Sequence, residues 1–188
     1  DDHIYWVALN RVKGIGAVRL RALLDHFGDA RSAWEAKPGA LAAGGLTPKL
    51  IDSFAEVRDS LDLSRLGEEL DKHQIRVLTW RDGDYPRRLA DIDQAPPVLY
   101  VRGDLQPDDE WAVAVVGTRR ISRYGRQVAE DGGAFLAHHG ITVVSGLARG
   151  VDGIAHQAAL NAGGRTLAVM AHGLDTVYPN EHRGLADR

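Results

Sequence analysis

The chain has 188 residues, a formal net charge of −3 and 44% hydrophobic content, the makeup of one or two globular domains. It has no cysteine, which excludes disulfide and thiolate chemistry and fits the cytoplasm. No signal-peptide pattern or bilayer-length apolar run occurs, so no membrane partner is expected.

Residues 1–74 are expected to form a small helical domain. Ile4, Val7, Ala8 and Val12, then Leu20, Leu23, Leu24 and Phe27, recur at helical spacing. Further helices are predicted over Ser32–Ala36, Thr47–Arg58 (Thr47 as N-cap, Pro48 at the first turn) and Leu63–Lys72. Between the first two helices stands Lys13-Gly14-Ile15-Gly16. This turn has two readings: a helix-hairpin-helix that offers Lys13 and the amides of Gly14 and Gly16 to a phosphate, or a tight turn inside the domain. Acidic neighbours balance Lys13, Arg19 and Arg21, which favours the second. Trp6, Trp34 and Trp80 read as core.

Residues 75–188 form the second predicted domain. Two strand-like runs, Ile75–Leu78 and Val98–Val101, flank a turn-rich stretch and are expected to pair with the sheet that follows. Next come apolar strands at Ala112–Val116, Ile141–Val144 and Thr166–Met170, alternating with helices at Arg123–His138 and Gly153–Ala162. Continuous apolar runs fit parallel strands covered on both faces. The order β-α-β-α-β predicts an α/β, Rossmann-like doubly wound parallel sheet. Three strands alone leave the first at an exposed apolar edge, so the second half of the sheet is expected beyond Arg188.

In such sheets ligands bind outside the carboxyl ends of the strands. The first loop there holds Gly117, Thr118, Arg119 and Arg120 and leads into Arg123. The second holds Ser145, Gly146 and Arg149. Helix N-termini beside glycine turns form anion sites, and arginine forks suit phosphate. Residues 81–110 are acidic, whereas Arg119, Arg120, Arg123 and Arg126 cluster in an otherwise modestly charged stretch. The competing reading pairs Arg119 with a carboxylate such as Asp152. Asp152 itself reads as a helix cap, with His156 one turn on. Tyr124 and Tyr178 are the aromatic residues near the loops.

Several segments together resemble the DNA-processing protein A (DprA/Smf) family: Val116-Gly117-Thr118-Arg119, Ser122-Arg123-Tyr124-Gly125, Ser145–Asp152 with Ala155-His156, Gly173-Leu174-Asp175, Tyr178-Pro179, and upstream Tyr85-Pro86 and Ala95–Tyr100. The family usually has Ser where Thr118 stands, a third glycine-rich turn at Ala171-His172-Gly173, and Asn at His182. The resemblance implies a sterile-alpha-motif-like N-terminal domain and an extended Rossmann-like domain. It implies a homodimer that binds single-stranded DNA, protects incoming strands in natural transformation and loads RecA recombinase. It implies no catalysis and no cofactor.

The alternative is a nucleotide-binding Rossmann-type hydrolase acting on nucleoside monophosphates. Against it, the chain lacks both G-x-G-x-x-G and the Gly-Lys-Ser/Thr of a P-loop. A metal hydrolase using His156, His172, Asp175 and His182 matches no zinc spacing.

Overall fold

The computed structural model describes residues 2–188, which divide into a unit ending at Asp104 and a unit spanning Leu105–Arg188. The first contains helices α1 (His3–Arg11), α2 (Ala17–Phe27), α3 (Ala30–Glu35), α4 (Pro38–Ala43), α5 (Pro48–Ser60) and α6 (Leu63–Lys72). Helix α3 begins two residues before the periodic pattern does, because the Asp29 carboxylate accepts the Ser32 amide at 2.7 Å. Asp62 caps α6 in the same way through the Arg65 amide. Thr47 sits at the N-cap of α5, but its side chain makes no capping bond. Trp6, Leu9, Leu20, Leu23, Trp34 and Phe54 fill the core, with the Trp34 and Phe54 rings 5.2 Å apart.

Strands β1 (Arg76–Thr79) and β2 (Val98–Val101) follow, with the short helix α7 (Arg87–Ala90) between them. They pair antiparallel with each other, Arg76 opposite Val101 and Thr79 opposite Val98, and not with the later sheet as the sequence predicted. Asp82 sets the turn after β1 by accepting both the amide and the hydroxyl of Thr79. Val98 joins the helical core, so the pairing buries the ribbon's apolar face on that side.

The second unit is a parallel sheet of β3 (Ala112–Ala114), β4 (Thr142–Ser145) and β5 (Thr166–Ala168) in spatial order β3-β4-β5. Helix α8 (Arg123–His138) links the first two strands and α9 (Val151–Asn161) the last two; α10 (Arg183–Ala186) closes the unit. The Ser122 hydroxyl caps α8 by accepting the Gly125 amide, as predicted. This is a Rossmann-like α/β arrangement. Both crossovers step in the same direction, and crossovers share one hand, so α8 and α9 lie on one face and pack together. Their core is Val143, Ala155 and Ala159, with Val115, Leu136 and Ala137 against it. The cover on both faces that the apolar runs predicted is therefore one-sided here. Val116 and Val169, just past the strands, remain 72% and 68% exposed. Among the described residues, no helix is long and apolar enough to cross a membrane.

The α8–α9 contact depends on Gly133. A Cβ there would lie 2.8 Å from the Ala155 carbonyl oxygen and 3.0 Å from Ala158 Cβ. Gly133→Val is expected to force the helices apart and cost about 1–3 kcal/mol, the usual range for overpacking. Thermal denaturation followed by circular dichroism checks this.

Candidate nucleic-acid interface

Two loops at the carboxyl ends of β3 and β4 meet backbone to backbone. Gly150, at φ +82°, precedes α9, and a Cβ on it would fall 2.1 Å from the Thr118 carbonyl oxygen and 2.9 Å from Arg119 Cα. The Val151 amide donates to that same carbonyl at 3.2 Å. Gly117 meets Val151 from the other side, where a Cβ would lie 2.6 Å from Val151 Cγ2. The second loop thus holds the first in place.

The first loop carries the open positive charge. Gly117, Thr118, Arg119, Arg120 and Arg123 are exposed. Among the described residues, no carboxylate lies within ion-pair distance of the guanidinium groups of Arg119, Arg120 or Arg123. Arg126 faces Glu130 one turn along α8 at 3.8 Å. The Thr118 hydroxyl closes its own turn, accepting the Arg120 amide at 3.1 Å and donating to the Arg120 carbonyl, so it is less available to a ligand than its position in the sequence indicated. The amides of the first α8 turn, as at every helix start, lack helical acceptors. Tyr124, in that turn, is 80% exposed.

The second loop differs from the anion cradle expected at Ser145 and Gly146. Ser145 is buried, and its hydroxyl donates to the Val115 carbonyl at 2.5 Å, tying β4 to β3. The Gly146 amide donates to Asp152 Oδ2 at 3.0 Å. Asp152 therefore binds back to the loop, whereas Gly150 occupies the N-cap position. Asp152 is not the partner of Arg119 either. The Leu147 amide donates to His156 Nε2, and His156 Nδ1 meets the Thr166 hydroxyl. The Gly146 and Leu147 amides are therefore already paired, and this part of the loop acts as a brace.

Arg149, predicted to reach the same groove, is held by Glu181, with Nε to Oε1 at 2.6 Å and Nη2 to Oε2 at 2.9 Å. These bonds hold the Glu181 carboxyl down to about 2 and raise the guanidinium further. The pair was missed because the partners stand far apart in the chain. The signal was the acidic residue after Tyr178-Pro179, in the third loop of the same sheet end. His182, which departs from the family's usual Asn, accepts a role there: its Nδ1 hydrogen-bonds the Leu147 carbonyl at 2.8 Å. Among the described residues, no group of three or more His, Cys, Asp or Glu is arranged to hold a metal.

The turn at Lys13–Gly16 lies in the first unit. Gly14 has φ +97°, and a Cβ there would meet Leu50 Cδ2 at 2.8 Å. The Gly14 carbonyl accepts Arg19 Nη1 at 2.8 Å, Gly16 stands at the N-cap of α2, and Lys13 is exposed. Packing on α5 accounts for Gly14 without a ligand.

The family model described as DNA recombination-mediator protein A matches residues 76–188, and a DprA-like N-terminal HHH domain matches residues 1–62. The chain belongs to the DprA/Smf family. Protein Smf of Synechocystis sp. is 38% identical over all of this chain and 48% of its own length. Protein Smf of Escherichia coli is 36% identical over 90% of this chain and 47% of its own length. The chain thus spans about half the length of these relatives. The X-ray structure of DNA processing protein A from Streptococcus pneumoniae superposes with a TM-score of 0.79 at 30% identity, covering 98% of this chain and 63% of that one. The Helicobacter pylori protein, solved to describe its single-stranded DNA binding mode, gives 0.52 at 30% identity over 61% of this chain and 51% of that one.

The brace carries a pH dependence. Burial pushes the His156 imidazole below its ordinary value, while the Asp152 carboxylate pulls the other way. The unfolded chain then binds a proton before the folded one does, so stability is full above the unfolded value of about 6.5 and falls as pH drops below it. Melting temperatures measured across this range are expected to decline more steeply for the wild type than for His156→Asn.

Proposed function

We propose that the chain binds single-stranded DNA at the loop spanning residues 117–123, in a DNA-processing role in natural transformation and recombination. The observation that supports this most is the group of three arginines without carboxylate partners, Arg119, Arg120 and Arg123, set between the end of β3 and the start of α8. Planar guanidinium forks beside a helix N-terminus match the phosphates of a flexible strand. Gly117 and Thr118 shape the turn, and Tyr124 offers a ring face to a base. Ser145 and Gly146 keep the loop rigid, and Arg149 stands in reserve.

The Helicobacter pylori relative, whose structure addresses single-stranded DNA, supports the choice of ligand. Protection of incoming strands, RecA loading, homodimerisation and a cytoplasmic location belong to the same reading and rest on family membership. So does a role as a binding protein and not an enzyme. The Lys13–Gly16 turn lies in the part that matches the DprA-like N-terminal HHH domain; we read it chiefly as a packing turn, with exposed Lys13 as the group for a second phosphate contact.

Fluorescence anisotropy with a labelled oligothymidine tests the site. Arg119→Ala is expected to weaken binding by about 1.5–3 kcal/mol, the range for hydrogen bonds to a charged group. The slope of log K against log salt should fall by about 0.7 for one lost phosphate contact. Unchanged affinity in a folded variant, or micromolar AMP binding with no DNA binding, would overturn the proposal.

A further inference from the structure

The second unit holds two bidentate arginine–carboxylate pairs, and they differ in kind. Arg165 grips Asp109 at 2.9 and 2.8 Å, but the Asp109 side chain is almost fully enclosed and also accepts from the Thr142 hydroxyl and the Gln106 amide. A ligand cannot take its place. In the Arg149–Glu181 pair, both side chains are about half exposed. Glu181 presents two oxygens to the guanidinium edge, the same fork-to-fork geometry in which a phosphate binds.

Glu181 is also delivered from an anchored segment. It lies in a 3-10 turn, Asn180–His182, that follows the buried Pro179. His182 fixes this turn to the Leu147 carbonyl, and its ring occupies the space left by Gly153, where a Cβ would lie 2.4 Å from His182 Cε1. A tethered carboxylate competes at high effective concentration. Arg149 adjoins Gly150, whose backbone touches Thr118 and Arg119, so the guarded arginine neighbours the open ones.

We propose that Glu181 is a built-in competitor for phosphate at Arg149, withholding that arginine from small anions and yielding it to a strand already held by Arg119, Arg120 and Arg123. This rests on the reading of residues 117–123 as the DNA site. The exchange is one anion for another. Glu181 is ionised at working pH whether or not it is paired, since neutral pH lies well above even the ordinary glutamate value, which Arg149 lowers further.

Glu181→Gln in the full chain is expected to tighten oligothymidine binding by about two- to fivefold, in keeping with the modest strength of exposed ion pairs. Adding Arg149→Ala should abolish that gain. Unchanged or weaker binding by Glu181→Gln would overturn the inference and make the pair a strut. A second measurement needs no variant. In arginine-labelled wild type, the Arg149 Nε–H resonance should move on titration with oligothymidine. If the Arg119 resonance moves and that of Arg149 does not, the inference falls alone. If neither moves, the site itself is wrong.

Discussion

At Gly150 one peptide backbone lies directly on another, and the carboxyl end of the sheet is organised by that contact. The Thr118 carbonyl is so close that no side chain fits between, and the amide of Val151 bonds to the same oxygen. A loop joined to its neighbour in this way cannot drift as an isolated surface turn does. Arginine side chains are long and lose considerable freedom when they bind. Fixing their Cα positions beforehand leaves only side-chain order to be established on contact with a ligand, which is the benefit of preorganisation. The internal bonds of the second loop serve the same end. Asp152 and His156 take up the amides of Gly146 and Leu147, so the start of that loop is tied to α9 before any ligand arrives.

The sequence made the architecture legible wherever a signal was local. The limits of α6 and α8 could be read directly, since polar caps and helical periodicity coincide at Asp62 and Ser122. The strand order followed from apolar runs separated by helices. Less legible was the partner of a strand: β1 and β2 carry the same apolar signal as the later strands, and only the helical core under Val98 decides that they pair with each other. The one-sided cover of the parallel sheet was hidden for a similar reason. An apolar run records that a strand is suited to burial, without recording which element provides it.

At the site, residue type and position were legible but hydrogen-bond allegiance was not. Arg119, Arg120 and Arg149 look equivalent as letters in glycine loops. What separates them is a carboxylate 32 positions away from Arg149, brought near by the third strand and its loop. Ser145 shows the same limit. A hydroxyl after a strand reads as a ligand group, yet its side chain turns to Val115 because alternate residues of β4 point to the helical face. Such facts depend on non-local geometry.

The arginines of the second unit consequently form a graded series on a chain whose net charge is negative. Arg165 is committed to an enclosed carboxylate, Arg149 to an exposed one, and Arg119, Arg120 and Arg123 have none among the described residues. Bulk charge of −3 repels a polyanion at long range, but screening confines that repulsion to about 10 Å at 0.1 M salt, whereas the arginine forks act at contact. Attraction is therefore local, and selectivity follows from number. At the proposed site a lone phosphate would meet few open forks, while a strand would meet several in succession and gain from each after the first without a further loss of translational freedom. On the proposed reading such a surface favours length over sequence, because its arginines contact the backbone that all strands share and the Tyr124 ring stacks on any base.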